Sequence, residues 1–375
     1  MKFKEIQLTN FRNYSSQICQ FESNLCVFIG DNGQGKTNIL ESLYFMSILK
    51  SFRTNENKDL IFKNSPYSFL KATIEDENIQ KQLYIYLTEK GKGLKINYDF
   101  VKNNSQFIGL INTVLFSPYD LIFFDESPKF RRRFMDMELS KISSVYLSYL
   151  NQYNLLLKQR NSLLKQTEID QLTLSILSDQ LIEKMYEIRK FRKEFIYFIS
   201  KKTNFYFSKL SKDIFDIEIN YLQDGFDEDK QKFIVNMKNK FEANQQRDIL
   251  FKTTHYGIHR DDMECLINKI NLLSFASQGQ KRLVLLSLKL ALVDYILETT
   301  KKTPVLLLDD VLSELDYDHQ HRFLELCSSE VQIILTTVSL DQIKPLKIKP
   351  QVFYVKQGSI SLMDDIQQGG YNGRK

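Results

Sequence analysis

Apolar and polar residues alternate in short bursts toward both ends of the chain and recur at helical spacing through its middle. From Phe3 to Gly30 the pattern predicts two strands around a turn. Ile6 and Leu8 alternate with polar neighbours, and Leu25-Cys26-Val27-Phe28-Ile29 is an apolar run that stops at Gly30. Such a run is what a strand covered on both faces requires. Asn38 to Leu49 reads as a helix, with Ile39, Leu43, Met46 and Leu49 or Ile48 on one face. Strands are expected at Phe69–Ile74, Gln82–Leu87 and Leu94–Tyr98, and Thr88-Glu89-Lys90-Gly91-Lys92-Gly93 is a hairpin turn signal between the last two.

The character changes after Ser127-Pro128. Gly and Pro are absent from Lys129 to about Lys165 and from Asp170 to about Leu210, and apolar residues recur at helical spacing in both segments. Phe134, Met137, Ile142, Val145, Tyr149 and Tyr153 mark the first; Leu177, Leu181, Met185, Ile188, Phe191, Phe195 and Ile199 mark the second. Two long helices packed as an antiparallel hairpin are expected, too short in heptads for a coiled-coil arm. A strand at Ile214–Leu222 and a helix from about Asp229 to Leu250 follow. The β/α pattern then returns, with strands at Val305–Leu308, Val331–Leu335 and Val352–Val355 and a helix at Asp318–Cys327. The turn-rich tail from Gln367 reads as disordered. There is no internal repeat.

Composition narrows the classes. A chain of 375 residues, 43% hydrophobic and 26% charged, is an ordinary globular protein of one or two domains. Lys plus Arg at 51 against Asp plus Glu at 46 leaves a formal charge of +5, which permits contact with nucleic acid without arguing for it. Cys19, Cys26, Cys265 and Cys327 form no CxxC pair and have no His at metal-ligand spacing, as expected of idle thiols in a reducing compartment. Met1-Lys2-Phe3-Lys4-Glu5 lacks the apolar stretch of a secretory signal. The most apolar segment, Leu283–Ile296, is broken by Lys289 and Asp294, so no membrane contact is expected and a cytoplasmic location is.

Three motifs carry chemistry. Gly30-Asp31-Asn32-Gly33-Gln34-Gly35-Lys36-Thr37 fits the phosphate-binding loop GxxxxGK[ST], placed between a buried strand and a helix. Its glycines let backbone N–H groups face a phosphate, and the helix start adds positive potential. Lys36 is expected to reach the β- and γ-phosphates of ATP, and the Thr37 hydroxyl to hold Mg²⁺. Val305-Leu306-Leu307-Leu308 ends in Asp309 and Asp310. Asp309 there can organise Mg²⁺ through its water shell, and Asp310 can orient or deprotonate the attacking water. The third motif, Ser277-Gln278-Gly279-Gln280, precedes the helix Leu283–Leu297, with Ser277 as its N-cap and Gly279 open to close approach.

This third motif resembles the ABC signature, with Gln278 where Gly is commoner, and Ser313-Glu314-Leu315-Asp316 matches the position of that superfamily's D-loop. About 270 residues and a helical segment separate Thr37 from Asp309, a layout that resembles SMC-like DNA ATPases rather than transporter ATPases. The chain is similar to the RecF family over nearly its whole length. The likeness is carried by Leu8-Thr9-Asn10-Phe11-Arg12-Asn13-Tyr14, the phosphate loop with Asn38-Ile39-Leu40-Glu41-Ser42, and Ser51-Phe52-Arg53-Thr54. It continues through Phe116-Ser117-Pro118-Tyr119-Asp120-Leu121, Ser127-Pro128 with Arg131-Arg132-Arg133-Phe134-Met135-Asp136, and His259-Arg260-Asp261-Asp262. Gly257-Ile258 stands where the family has Gly-Pro, and Phe52 where it has His. Asp310 stands where the wider superfamily has Glu, and Thr336-Thr337 end a strand that a His usually follows, which suggests slow hydrolysis.

The resemblance implies an α/β fold. An ABC-type ATPase head (a discontinuous lobe I) would comprise residues 1–125 and 255–375, with a mainly helical second lobe, 126–254, inserted. It implies a weak DNA-stimulated ATPase that uses ATP and Mg²⁺ and forms an ATP-dependent homodimer in which Ser277, Gln278, Gly279 and Gln280 complete the partner's site. Arg12 becomes a candidate nucleotide contact and Arg53 a candidate DNA contact. The implied partners are duplex and gapped DNA with RecO and RecR, in support of RecA loading. A short SMC-like structural or nuclease-partner ATPase is the alternative, and a transport-type subunit a more distant one.

Overall fold

The structure, a computed structural model, describes residues 1–118, 120, 127–211, 215–327, 330–340 and 349–363. Strands β1 (Lys2–Phe11), β2 (Tyr14–Gln20) and β3 (Leu25–Ile29) open the chain, one more than expected, because the segment after Asn13 pairs back on β1 before the buried run begins. Helix α1 (Lys36–Ile48) follows, then β4 (Ser68–Asp76), β5 (Ile79–Thr88), β6 (Gly91–Ile96), β7 (Asp99–Phe100), the single turn α2 (Asn104–Phe107) and β8 (Thr113–Phe116). The middle holds α3 (Pro128–Ile142), α4 (Ser144–Leu163), α5 (Gln171–Leu210), β9 (Ile217–Leu222), α6 (Lys230–Ala243) and α7 (Gln245–Phe251). Then come β10 (Asp262–Ile267), β11 (Ile270–Asn271), α8 (Leu272–Phe275), α9 (Gln278–Thr300), β12 (Val305–Asp309), α10 (Tyr317–Leu326), β13 (Ile333–Thr337), β14 (Gln351–Lys356) and β15 (Ser359–Leu362). The tail read as disordered lies outside the described residues, as does Ile214 at the start of the strand expected there.

Two compact units divide the chain: Met1–Leu121, Ser208–Asp213 and Leu285–Lys375 form one, and Ile122–Phe207 with Ile214–Val284 the other. Residues 255–284, expected with the first, belong to the second, because β10 pairs antiparallel with β9 and contacts α3.

The first unit contains two six-stranded sheets. One is antiparallel, in the order β2-β1-β4-β5-β6-β7; the other runs β15-β14-β3-β13-β12-β8 and is parallel except for the β14–β15 pair. Helix α1 contacts β8, β12 and β13 of the parallel sheet and β4 of the antiparallel one. It is therefore buried on nearly every side, Glu41, Ser42 and Ser47 included, rather than along one apolar stripe. Cys19 and Cys26 are free and buried in this unit, and burial pushes both thiols up to about 12. No helix among the described residues is long and apolar enough to cross a membrane.

In the second unit the long helix expected from Lys129 is broken. Ser143 is extended (φ −134°, ψ 106°) and its Oγ accepts from Tyr146 N at 3.1 Å, so it caps α4. The apolar spacing runs on across the break, which is why periodicity alone reads one helix. Asn244 (φ −104°, ψ 5°) interrupts the helix expected from Asp229 to Leu250, between α6 and α7, without a side-chain cap on α7. A buried ion network joins these elements. Asp261 accepts from Arg189 Nη2 at 2.7 Å and Nε at 3.2 Å, from Arg192 Nη1 at 3.4 Å, and from the Tyr221 hydroxyl. Arg192 also donates to Asp136 at 2.8 Å, and the Ile258 carbonyl accepts from it at 3.0 Å. His259 Nε2 lies 3.0 Å from the Thr254 carbonyl and Nδ1 2.9 Å from the Tyr153 hydroxyl, which fits a neutral ring that donates from Nε2 and accepts at Nδ1. Burial lowers its basicity accordingly.

Removing one partner of a buried ion pair strands the other charge in the interior, at a cost of about 3–5 kcal/mol. Asp261→Ala leaves both guanidiniums without their shared carboxylate and should destabilise the protein by about that amount. A fall in the urea midpoint, read by circular dichroism, checks this; an unchanged midpoint would show that the carboxylate is dispensable.

A phosphate-loop cavity as candidate functional site

Register places the chemistry. In the parallel ladder, Asp309 is paired with Thr336 and Thr337 with Ile29, so the phosphate loop and the acidic strand end at the same carboxyl edge of the sheet. Clefts at that edge of open α/β sheets are the usual ligand sites. A cavity of about 360 Å³ opens there. Asp31, Asn32, Gly33, Gly35, Lys36 and Thr37 line it from the loop and α1, together with Asn38, Arg53, Pro118, Asp309, Asp310 and Thr336.

The loop's shape depends on its glycines. Gly33 and Gly35 sit at φ 79° and 120°, a region that side chains disfavour, and a Cβ on Gly35 would stand 2.6 Å from Asn13 Nδ2. A Cβ on Gly30 would collide with the Val355 carbonyl oxygen. Two other turns of the same unit hold the loop from behind. The Gln34 carbonyl accepts from Asn13 Nδ2 at 2.9 Å and from Gly358 N at 3.1 Å, and Gln34 Oε1 accepts from Gln357 N at 2.7 Å. The Tyr14 hydroxyl donates to the Gly35 carbonyl at 2.9 Å. Of the eight loop residues, Gly30 and Gln34 therefore face the protein and the other six line the cavity.

Lys36 is 7% exposed and donates to the loop's own carbonyls, Gly30 O and Asp31 O, the latter at 3.0 Å. Burial pulls its ammonium below the ordinary lysine value, while Asp310, Asp309 and Asp31 pull it back up. Thr37 Oγ1 and Thr336 Oγ1 both donate to Asp309 Oδ1 at 2.9 Å. Burial raises the Asp309 pKa, and these two hydroxyls oppose the rise. Asp310 turns away from the strand at φ 52°, its N–H donating to Thr336 Oγ1 at 3.0 Å. Its Oδ1 is buried without a hydrogen-bond partner among the described residues. A buried carboxylate oxygen left bare is costly unless something polar meets it. With Lys36, the Thr37 hydroxyl and a second carboxylate in the same cavity, the donor set suits a polyphosphate, a divalent cation and a water.

Two arginines converge on one buried carboxylate. Arg53, a DNA candidate in the sequence, lines this cavity and donates to Asn38 Oδ1 at 2.7 Å, with Glu41 Oε2 at 3.3 Å. Arg12, the candidate nucleotide contact, is not among the lining residues. Its guanidinium grips Glu41 at 2.7 and 2.8 Å and also donates to the Asp59 carbonyl. Glu41, fully buried and also bound by the Ser51 hydroxyl at 2.5 Å, is thus the carboxylate both arginines share. The sequence assigned neither Glu41 nor Thr336 a contact in the site: Glu41 appeared there only within the stretch Asn38-Ile39-Leu40-Glu41-Ser42, and Thr336 only as part of a strand end without the usual His.

The signature residues belong to the second unit. The Ser277 hydroxyl accepts from Gln280 N at 3.2 Å and Gln280 Oε1 accepts from Ser277 N at 3.0 Å, a reciprocal capping box at the start of α9. A Cβ on Gly279 would meet nothing nearer than Ser277 Oγ at 4.0 Å. Packing among the described residues therefore does not require this glycine.

The family described as the RecF/RecN/SMC N terminal domain matches residues 2–361. A DNA replication and repair protein RecF from Streptococcus equi subsp. zooepidemicus (strain H70) is 40% identical over 364 residues, covering 96% of this chain and 98% of the relative. A solved structure described as the recombination mediator protein RecF-ATP in the RecFOR pathway superposes with a TM-score of 0.88 at 30% identity, covering 96% of this chain and 97% of that one. An Smc head bound to the C-winged helix domain of ScpA has a TM-score of 0.57 at 17% identity over 96% of this chain and 97% of its own, a likeness of fold.

Lys36→Ala removes the ammonium at the floor of the cavity. A hydrogen bond to a charged group contributes about 1.5–3 kcal/mol, so triphosphate binding should weaken roughly tenfold to a hundredfold. Titration with a fluorescent nucleoside triphosphate measures this, and unchanged affinity would remove Lys36 from the site.

Proposed function

The chain belongs to the RecF family of DNA replication and repair proteins, and from that premise we propose that it is an ATP-dependent DNA-binding protein of recombinational repair. The observation that carries this reading is the meeting of phosphate loop and acidic strand in one cavity, with Thr37 donating to Asp309 at 2.9 Å beside the bare Asp310 oxygen. ATP is the substrate. Lys36 exchanges the loop carbonyls it now holds for the β- and γ-phosphate oxygens, and the N–H groups of the loop and of the first turn of α1 face the phosphates. Mg²⁺, when bound, neutralises phosphate charge, and the Thr37 hydroxyl and the Asp309 carboxylate are the residues that would hold it. Asp310 accepts a hydrogen bond from the attacking water and takes its proton as the water oxygen bonds to the γ-phosphorus; the bond from that phosphorus to the β–γ bridging oxygen breaks, and ADP leaves with that oxygen. Arg53 stands on the wall of the same cavity, and in this reading it serves the nucleotide.

The signature works in trans. Gly279 near the start of a helix costs up to about 1 kcal/mol relative to Ala and meets no packing demand among the described residues of its own chain, which favours a demand from outside it. A second copy that docks its γ-phosphate against Ser277 and the N–H groups of Gln278, Gly279 and Gln280 supplies that demand, and two-fold symmetry makes two such sites. ATP then closes the pair on duplex DNA near single-strand gaps, and hydrolysis removes contacts from both sides of the interface. RecO and RecR are the proposed partners and RecA loading the outcome. Aspartate in place of glutamate at position 310, with threonines at 336 and 337, favours slow turnover.

One variant separates binding from chemistry. Asp310→Asn keeps the shape of the side chain and loses the base, so it should bind ATP and duplex DNA like the parent while hydrolysis falls by about 10²-fold or more. Loss of nucleotide binding in this variant would sink the division of roles.

Ser277→Arg places a cation where the partner's γ-phosphate docks. In sedimentation with a non-hydrolysable ATP analogue, the parent should dimerise and the variant stay monomeric, with its nucleotide affinity intact. Duplex titration with and without the analogue should show ATP-dependent binding for the parent only. A variant that dimerises normally would overturn the shared site.

A further inference from the structure

Arg53 stands beyond the end of α1 in a segment with neither helix nor strand, yet its guanidinium has a defined seat. Nη1 donates to Asn38 Oδ1 at 2.7 Å. Asn38 Nδ2 donates in turn to Asn13 Oδ1 at 2.8 Å, and Asn13 Nδ2 to the Gln34 carbonyl at 2.9 Å. Chemistry at the two ends fixes the sense of this chain. A guanidinium only donates and a carbonyl only accepts, so neither amide can turn over without setting like groups face to face. Asn13 lies between β1 and β2, away from the cavity lining, and two glycines make room for it. A Cβ on Gly35 would stand 2.6 Å from its Nδ2, and one on Gly358 2.2 Å from its carbonyl oxygen.

The competing seat is Glu41. Its Oε2 lies 3.3 Å from Arg53 Nη1, farther than Asn38 does, and Arg12 and Ser51 already occupy that carboxylate. Arg53 Nε and Nη2 hydrogen-bond to nothing among the described residues. Burial raises the Asp309 pKa, and Arg53 is close enough to be among the groups that oppose the rise. The guanidinium therefore stands at the end of the cavity where Thr37 and Asp309 would hold a cation.

We propose that Asn38 and Asn13 are positioning residues for ATP hydrolysis, a two-amide relay that holds Arg53 toward the γ-phosphate and ties its seat to the backbone of the phosphate loop. The inference rests on the reading of Arg53 as a nucleotide contact. With Nη1 engaged by Asn38, Nε and Nη2 remain to face the phosphoryl oxygens, where charge spreads as the bond to the bridging oxygen breaks. A long side chain already held in one arrangement needs no ordering as the reaction proceeds. Without the relay the guanidinium falls back on Glu41, and its free nitrogens turn from the triphosphate. The loop itself does not depend on Asn13 alone, because the Gln34 carbonyl also accepts from Gly358 N and Gln34 Oε1 from Gln357 N.

Turnover of the full chain, with saturating ATP, Mg²⁺ and duplex DNA, tests the relay beside titration of a fluorescent nucleoside triphosphate. Asn13→Ala is the informative variant, because Asn13 hydrogen-bonds to Asn38 and the loop but not to Arg53. It frees the Asn38 amide to turn. Turnover should fall about tenfold to a hundredfold, the range for loss of one hydrogen bond to a charged group, while nucleotide affinity changes by no more than about twofold. Asn38→Leu, similar in size and without polar atoms, should show the same split. In an Arg53→Ala background neither substitution should lower turnover further. A role confined to supporting the loop would instead weaken nucleotide binding and add to the Arg53→Ala loss, and that result overturns the relay. Arg53→Ala alone tells the two readings apart. If it hydrolyses ATP like the parent, Arg53 does not serve the nucleotide and the relay has nothing to position. If it loses turnover while Asn13→Ala and Asn38→Leu keep theirs, the relay alone is wrong.

Discussion

The site depends on one buried carboxylate. Asp309 is 4% exposed at the end of β12, and through a single oxygen it takes hydroxyl hydrogen bonds from Thr37 at the start of α1 and Thr336 at the end of β13. Three elements from residues nearly 300 positions apart are thereby fixed against one another. The ladder makes this possible: Asp309 is paired with Thr336, and a slip of one residue would turn the carboxylate to the opposite face of the sheet. Thr336 uses its hydroxyl twice, donating to Asp309 and accepting from the Asp310 amide, and so also holds the left-handed turn that aims Asp310.

Much of this was legible in the sequence because local patterns determine it. The strand–loop–helix context of Gly30 to Thr37 and the apolar run ending in Asp309 each need only nearby residues, and the structure brings them together. What stayed hidden depends on distant partners. The single polar contribution of Glu41 gives no sign that Arg12 and Arg53 both converge on it, which ties Arg12 down beside α1 and sets Arg53 on the cavity wall. The break at Ser143 hides inside continuous periodicity, since a serine cap costs the pattern one polar position. Residues 255–284 follow the helical segment in sequence, yet their strand finds its partner in β9, and pairing between strands is not read from either alone.

The second unit shows how a departure from the family pattern is accommodated. Ile258 stands where the family has proline, and a rigid ring would ordinarily hold such a loop. Here side chains from three helices do so. Tyr153 of α4 meets His259, Arg192 of α5 donates to the Ile258 carbonyl, and Arg131 and Arg132 of α3 reach Asp262 and the Asp261 carbonyl. A Cβ at Gly257 would collide with the Tyr153 hydroxyl, so glycine remains required at that position while its neighbour does not need to be proline. Charge-assisted bonds with fixed geometry do the work of a constrained backbone.

The position of β3 in its sheet has a consequence for the chain during synthesis. Its neighbours on both sides are β13 and β14, so residues 25–29 leave the ribosome some 300 residues ahead of any strand they pair with. Contacts of such separation form slowly, because a long loop must close before they contribute. Until then, Leu25-Cys26-Val27-Phe28-Ile29 is an unpaired apolar segment of the kind that aggregates. The antiparallel sheet beside it needs only residues 2–100 and can form early. The phosphate loop therefore gains its seat last, and a nascent chain lacking its final strands cannot assemble a complete site.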